Sequence, residues 1–377
     1  MIVYTLLKES RVKILDSQNI DKHIDAGINW IENAYENSND GGIPAYFDLL
    51  RNKWRPSYPE TTGYTIPTLI NYAELFNKPD IKNKAIEMAE YLLKQRTLSG
   101  GVCHWDKSSS NHPSPIVFDT GQVIFGWIAA WKETNNNEYL EAAIKAANWL
   151  VSIQNEDGYW DKNQHLKVVK VIDARVALAL IKLWQITNTR SYLIAAQRNL
   201  EWVLSKQDNN GWFLNASFRQ GKDPYTHNIA YTIEGLLKSG LILDETRFVN
   251  ASEKTAEALL GLQKPNGSLA ATYNEYWVSK DSYTCLSGDC QISLVWLDLY
   301  KLNGDNHYLE AAKRALSYVA GTQDVNTTNP GIYGGIGGSF PIYGDYELLK
   351  YPNWAVKFFI DGLLALRKIE TDSVNHY

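Results

Sequence analysis

The sequence predicts an all-α fold, an (α/α)6 toroid in which six helical hairpins close into a ring with parallel inner helices. A turn motif containing Gln, Gly and an aromatic residue recurs along the 377 residues, most clearly at 154–160 and 207–212. Amphipathic helix patterns alternate with patterns that are apolar on nearly every side. Long loops precede the apolar helices. Self-similarity of this kind indicates repeated copies of one supersecondary unit.

The amphipathic patterns predict the outer helices at 24–37, 80–97, 137–154, 190–207, 246–263 and 305–323. In the third, Ala142, Ala146 and Leu150 follow the i, i+4 spacing of a helix that buries one face. The apolar patterns predict the inner helices at 61–76, 119–133, 173–187, 228–240, 288–302 and 353–369. A helix that is apolar on every side is buried on every side, so these helices form the inner ring.

The repeats predict one toroid domain at 24–370, with an N-terminal extension at 1–23 and a C-terminal tail at 371–377. A net charge of −5 argues against a nucleic-acid partner. No apolar run approaches the roughly 20 residues that cross a bilayer, and the first residues lack a secretory signal pattern. The expected localisation is therefore cytoplasmic. The oligomeric state stays open.

Parallel inner helices direct their N-termini to one end of the ring, which we call the mouth. Helix dipoles and free N–H groups at such ends favour anionic groups. Asp119, Asp173, Asp289 and Asn353 could simply cap these helices. Because six helix ends converge, we predict a functional site at the mouth, formed by Glu60, Tyr64, Asp119, Gln122, Asp173, Arg175, His227, Asn228, Tyr231, Asp289, Gln291, Asn353 and Lys357.

Segments 58–64 and 351–359, together with the repeat, make the chain resemble the six-hairpin toroid carbohydrate-active enzymes. That superfamily includes unsaturated glucuronyl hydrolases, polysaccharide lyases and glucuronyl 5-epimerases. The same segments look like uncharacterised toroid proteins of surface-polysaccharide clusters. The resemblance implies an oligosaccharide or polysaccharide precursor as the partner. The loop tryptophans Trp105, Trp160 and Trp212 could stack on sugar rings at the rim, or they could pack their indoles against the neighbouring hairpin, as Gly-x-Trp turns commonly do.

The leading hypothesis is an enzyme that acts on a uronic-acid-containing or related glycan by C5 proton abstraction, as a lyase or an epimerase. Arg175 and Asn228 would hold the carboxylate, and His227 with Tyr231 or Tyr64 would move the proton. This chemistry requires both roles, because a proton next to a carboxylate is removable only when the resulting enolate is stabilised. The remaining polar residues of the mouth would bind the sugar.

Two other classes of function stay open. A glycoside hydrolase would use Asp119 and Asp173 as paired acids, since they begin successive inner helices. A glycan-binding protein without catalysis would use the same mouth for affinity alone.

A terpenoid interpretation is less favoured. The Gln-x-x-x-Gly-x-Trp turn also resembles triterpene cyclases and the prenyltransferase β-subunit, but the acidic motifs of terpenoid enzymes do not occur. Asp289 and Cys290 are adjacent, unlike the prenyltransferase zinc ligands. The three cysteines are expected to be buried thiols. The glycines at 331–340 lack the βαβ context of a dinucleotide site. We therefore predict no metal and no cofactor.

Overall fold

A computed structural model describes residues 20–105 and 114–374 of the chain. Twelve α-helices lie within these ranges, and each matches a predicted helix to within a few residues. In chain order, α1 to α12 span Ile20–Glu36, Pro59–Phe76, Pro79–Lys94, Val117–Thr134, Asn137–Ile153, Ala174–Thr187, Arg190–Leu204, Thr226–Leu243, Thr246–Leu262, Leu286–Asn303, Asn306–Thr322 and Asn353–Val374. Residues 1–19 of the expected extension and 375–377 of the expected tail lie outside the described residues.

The even-numbered helices form the inner ring. Each packs against the next, from α2 through α4, α6, α8 and α10 to α12, and α12 packs back against α2. Every inner helix also packs against an outer helix, and α1 packs against α12, so the first and last helices of the chain complete one hairpin. The predicted (α/α)6 toroid is therefore confirmed.

Neighbouring inner helices approach each other closely. At Gly63 of α2, an added Cβ would lie 2.6 Å from the Cα of Val123 in α4. Real Cβ atoms do not pack that close to backbone, so a side chain at this position would separate the two helices. The small residue lets the first turns of α2 and α4 lie side by side at the mouth.

The repeated turn motif attaches hairpins to their neighbours in the ring. Gln154 donates from Nε2 to the carbonyl of Gly158 in its own turn, at 2.8 Å, and to the carbonyl of Ala195 in α7, also at 2.8 Å. Equivalent pairs of hydrogen bonds are made by Gln207 and Gln263. The pattern that reveals the repeat in the sequence is therefore the polar contact between neighbouring hairpins.

The last copy of the motif closes the ring. Gln323 donates from Nε2 to the carbonyl of Gly334 at 2.8 Å and to the carbonyl of His23 in α1 at 3.3 Å. Within residues 20–105 and 114–374, five short strands lie in the loops: β1 Tyr46–Asp48, β2 Lys53–Trp54, β3 Thr284–Cys285, β4 Ser339–Phe340 and β5 Lys350–Pro352.

The strands join loops that are far apart in the chain. β1 pairs with β2 and with β5 in antiparallel register, Phe47 lying opposite Trp54 and Tyr351. β3 pairs with β4. The pairing of β1 with β5 connects the loop before α2 with the loop before α12, across the closure. Across the described ranges, no helix combines the length and apolarity needed to cross a membrane.

The turn glycine provides a test of the hairpin contact. Gly158 has a φ of +93°, and an added Cβ would lie 2.4 Å from the carbonyl oxygen of Arg198. We expect Gly158→Ala to lower the free energy of unfolding by about 1–3 kcal/mol, measured by urea denaturation. Gly261→Ala in α9 is the control, because nothing lies within 4 Å of its added Cβ, and it should stabilise by roughly 0.4–1 kcal/mol. Equal stability of the two variants would contradict this account.

Candidate active site

A cavity of about 610 Å³ opens at the mouth, between the first turns of the inner helices and the loops that precede them. Its volume is in the range of small-molecule sites. Its wall combines polar and charged side chains with many aromatic rings, which are Tyr46, Tyr58, Tyr64, Trp105, Phe118, Phe218, Tyr225, Tyr231, Tyr283, Tyr346 and Trp354. Of the predicted site residues, it contains Glu60, Tyr64, Trp105, Asp119, His227 and Tyr231.

Two carboxyl groups lie in contact in the cavity wall. Glu60 is in the first turn of α2 and Asp119 in the first turn of α4, and both are buried. Burial raises the pKa of Glu60 well above its usual value, and the charge of the adjoining Asp119 carboxyl raises it further. Two carboxyl groups at this distance resist being charged together. Glu60 therefore keeps its proton to a higher pH than an ordinary glutamate.

Tyr58 and His104 complete a closed set of contacts with this acid pair. The Tyr58 hydroxyl donates to Oε2 of Glu60 at 2.5 Å and lies 3.2 Å from Nδ1 of His104. The same Nδ1 lies 2.7 Å from Oδ2 of Asp119. Burial acts to lower the pKa of His104, but the charge of Asp119 and the hydrogen bond to it raise the pKa on balance.

Neither Tyr58 nor His104 was predicted to be a site residue. His104 directly precedes Trp105 in a weak copy of the turn motif, and Tyr58 precedes the predicted start of an inner helix. The position of His104 within the repeat was the available signal, since the loops of the repeat converge on the mouth.

His227 and two tyrosines form another part of the cavity wall. Nδ1 of His227 is hydrogen-bonded to Oε1 of Gln291. Burial lowers the pKa of His227 to about 3, so its imidazole is neutral at pH 7. The Tyr231 hydroxyl donates to the Tyr64 hydroxyl at 3.5 Å. The structure thus brings together the three residues predicted to move a proton.

Arg175, predicted to hold a substrate carboxylate, lies outside the cavity lining. Its guanidinium forms a buried ion pair with Glu234 and donates from Nε to Oε1 of Gln122 at 2.6 Å. It lies against the rings of Tyr64 and Tyr231, 5.8 and 5.2 Å from their centroids. Its charge is therefore already paired with Glu234. Its guanidinium packs against the two tyrosine rings and supports them on the side away from the cavity.

Asp173 and Asp289 also lie outside the cavity lining. Oδ2 of Asp173 accepts from Nε2 of Gln164 at 2.6 Å. Asp289 accepts from the backbone N–H of Leu269 at 3.0 Å and from the Thr284 hydroxyl at 2.6 Å. Burial raises the pKa of each aspartate to about 7. Glu60, on the neighbouring inner helix, interacts directly with Asp119.

The alternative that Asp119, Asp173 and Asp289 simply cap inner helices does not hold, because none of the three side chains makes a capping hydrogen bond. Asp119 and Asp289 lie within the first turns of α4 and α10, and the caps are Ile116 and Cys285. Asp173 does occupy the cap position of α6, but its side chain makes no capping hydrogen bond. α4 and α10 begin two residues earlier than predicted, so the carboxyl groups of Asp119 and Asp289 lie inside the first turn and contact neighbouring elements.

Three further predicted residues are engaged in contacts within the protein. Oδ1 of Asn228 accepts from the backbone N–H of Tyr225 at 3.1 Å. Asn353 donates from Nδ2 to the carbonyl of Pro44 at 2.9 Å and to Oγ1 of Thr61 at 2.8 Å. The buried Lys357 forms an ion pair with Asp361 at 2.6 Å. None of the three lines the cavity.

The three tryptophans predicted at the rim occupy different positions. Trp105 is 38% exposed and stacks on Tyr58 in the cavity, with ring centroids 5.0 Å apart. Trp160 is buried and donates from Nε1 to the carbonyl of Leu150 at 2.8 Å. Trp212 is buried with its ring edge to face against Trp277. Only Trp105 faces the cavity.

Lys170 holds one of the loops at the rim of the cavity. Its Nζ donates to the carbonyls of His165 at 2.8 Å and Val168 at 2.6 Å, which holds the loop before α6 in place. Arg219 and Lys222 lie on the exposed loop before α8.

Among the described residues, no three His, Cys, Asp or Glu side chains converge as metal ligands would.

No protein-family model and no curated protein matches the chain. Solved structures do resemble it. An unsaturated glucuronyl hydrolase specific for heparin aligns with 94% of this chain and 99% of its own, at a TM-score of 0.75 and 16% identity. Cellobiose 2-epimerase from Bacillus thermoamylovorans B4167 aligns with 91% and 99%, at 0.70 and 13%. The unsaturated glucuronyl hydrolase of Bacillus sp. GL1 aligns with 92% and 96%, at 0.71 and 12%.

The chain has the (α/α)6 toroid fold. The resemblance predicted from the sequence is thereby confirmed at the level of the fold.

The raised pKa of Asp289 predicts how stability depends on pH. Between its ordinary pKa of 3.8 and about 7, the folded protein binds a proton at Asp289 that the unfolded chain releases, so stability falls as pH rises through this window. Asp289→Asn removes this contribution. From pH 5 to 7.5, the free energy of unfolding should fall by about 2 kcal/mol more in the parent protein than in the variant, measured by urea denaturation. Parallel pH curves would contradict the assignment.

Proposed function

We propose that this protein is a carbohydrate-active enzyme that hydrolyses a glycosidic bond in an oligosaccharide or polysaccharide precursor. The observation that carries the proposal is the contact between the buried carboxyl groups of Glu60 and Asp119 in the wall of the cavity. Glycosidases cleave sugars with a protonated and an ionised carboxyl group. In this proposal Glu60, whose pKa is raised, supplies the protonated group and Asp119 supplies the carboxylate.

The class of substrate is supported by two independent observations. Solved structures of the same fold include unsaturated glucuronyl hydrolases and a cellobiose 2-epimerase, which act on sugars. The cavity is rich in aromatic rings, and Trp105 presents a partly exposed ring next to the acid pair. Flat, apolar ring surfaces of this kind suit the C–H faces of sugars, with polar groups between them to fix orientation.

In the mechanism we infer, Glu60 donates its proton to the glycosidic oxygen as the bond to the anomeric carbon breaks. The Asp119 carboxylate stabilises the positive charge that develops on the sugar. Water then adds its hydroxyl to that carbon and gives its proton to Asp119. Because the two carboxyl groups touch, the proton passes back to Glu60 and the acid is regenerated.

The direct interaction of the two carboxyl groups also sets a limit on the mechanism. Carboxyl groups that act from opposite sides of a sugar are about 5–9.5 Å apart. Glu60 and Asp119 are in contact, so we infer that they act from one side as a single acid–base unit. We therefore retain the glycoside hydrolase hypothesis and propose Glu60, in place of Asp173, as the second acid beside Asp119.

Substitution of the acid pair tests the proposal. Glu60→Gln and Asp119→Asn should each lower kcat for glycoside cleavage about 10²–10⁴-fold, because each removes a proton carrier from the reacting pair. Asp173→Asn is the matched control, since Asp173 lies outside the cavity lining, and its kcat should stay within about tenfold of the parent. A loss in Asp173→Asn as large as that in Asp119→Asn would move the acid to Asp173.

A second candidate function is proton abstraction from the sugar, as in an epimerase or a lyase. The observation that favours it is the neutral imidazole of His227 in the cavity wall, next to Tyr231. It is weakened by Arg175, whose charge is paired with Glu234 and would have to be released to hold a uronate.

His227→Asn separates the two candidates, because the Asn amide can keep the contact to Gln291. If the protein is a hydrolase, this change raises KM and lowers kcat less than tenfold, since His227 only contacts the sugar. If His227 is the base, the change lowers kcat at least 10²-fold. The measurement is steady-state kinetics on the same substrate that the acid-pair variants are tested with.

A further inference from the structure

His104 touches the acid pair and belongs to neither inner helix. It lies in the loop before α4, and its side chain is mostly buried between that loop and the start of α2. Nδ1 lies 2.7 Å from Oδ2 of Asp119 and 3.2 Å from the Tyr58 hydroxyl, which donates to Glu60. His104 is therefore linked to one carboxyl group directly and to the other through a phenol.

We propose that His104 is a positioning residue that determines which carboxyl group of the acid pair carries the proton. As an imidazolium, it donates from Nδ1 to Asp119 and holds that group as a carboxylate. The shared proton then stays on Glu60, where it can be donated. The assignment of His104 rests on the proposed function only for its consequence in catalysis, since the effect on the proton itself is independent of any substrate.

The other titratable groups around His104 leave the charge on it. The ring of His165 packs against it, with centroids 4.6 Å apart. Burial, and then the charge of His104, lower the pKa of His165 to about 4, so His165 is neutral at pH 7. Lys170 is directed to the backbone carbonyls of His165 and Val168. Asp119 is the anion that faces the His104 imidazole directly.

Loss of the imidazolium charge moves the shared proton from Glu60 toward Asp119. Without a cation beside it, the carboxylate of Asp119 is less stable and takes a larger share of the proton. The pair as a whole also holds that last proton more tightly, because a neighbouring positive charge favours ionisation. The proton therefore moves away from Glu60, and the pH at which the pair loses it rises.

The variant His104→Asn tests this inference. The Asn amide nitrogen can occupy the position of Nδ1 and donate to Asp119, but it cannot carry the charge. The first measurement is carbon-13 NMR of carboxyl-labelled Glu and Asp at pH 6, with signals assigned from Glu60→Gln and Asp119→Asn. We expect the Glu60 signal to move toward the ionised form and the Asp119 signal toward the protonated form. Unchanged signals in a folded variant would overturn the inference.

Kinetics then give a readout that loss of structure alone would not produce. His104→Asn should lower kcat about tenfold with KM within about twofold, and it should move the alkaline limb of kcat/KM to higher pH. His307→Asn on the exposed start of α11 is the control and should leave both unchanged. If the alkaline limb of the kcat/KM profile stays at the same pH in His104→Asn, His104 has only a structural role and the inference is overturned.

The two proposals fail in different ways. If the carboxyl signals respond but Glu60→Gln still cleaves sugars at the parent rate, the proposed function fails and the role of His104 in locating the proton stands. If Glu60→Gln is inactive and His104→Asn changes neither the carboxyl signals nor the limb, the proposed function stands and the role of His104 fails.

Discussion

The close approach of parallel inner helices is the constraint on which the rest of the structure depends. A ring of six such helices brings their first turns to one mouth, and small residues such as Gly63 let α2 and α4 lie side by side. Gln–Gly turns hold hairpins to their neighbours at Gln154, Gln207 and Gln263, and Gln323 with the β1–β5 pair closes the ring. Side chains that are far apart in sequence therefore meet at fixed distances.

The chemistry of the mouth follows from that packing. Glu60 and Asp119 are in contact because their helices are neighbours, and burial together with the Asp119 charge raises the pKa of Glu60. Beneath them, the Arg175–Glu234 pair satisfies a buried charge within the protein and supports the aromatic wall. A buried charge is tolerated only when it is paired. The cavity thus presents a proton donor, a carboxylate and aromatic surfaces, while the charge of Arg175 is paired with Glu234 outside the cavity lining.

The sequence predicts the helices of this protein better than it predicts the contacts between side chains at the mouth. The helices, their order and the ring were predictable, because helix periodicity and the repeated turn each depend on residues that are close together in the sequence. The acid pair was predictable only in part. Asp119 was identified, but its partner depended on which side chains of neighbouring first turns face each other, and the helices begin earlier than their polar residues suggest. Tyr58 lies in a loop that the β1–β5 pairing joins to residues some 300 positions away, and His104 lies in a different loop, next to the bridge between Cys103 and Pro115.

The most direct test of the central claim is product analysis after incubation with a panel of oligosaccharides in deuterated water. Mass spectrometry and NMR of the products would report both bond cleavage and deuterium on carbon. The account predicts cleavage of a glycosidic bond with uptake of one water, and no cleavage when Glu60 and Asp119 are both replaced by their amides. Deuterium gain on a sugar carbon without cleavage would contradict it, because that result requires proton abstraction in place of hydrolysis.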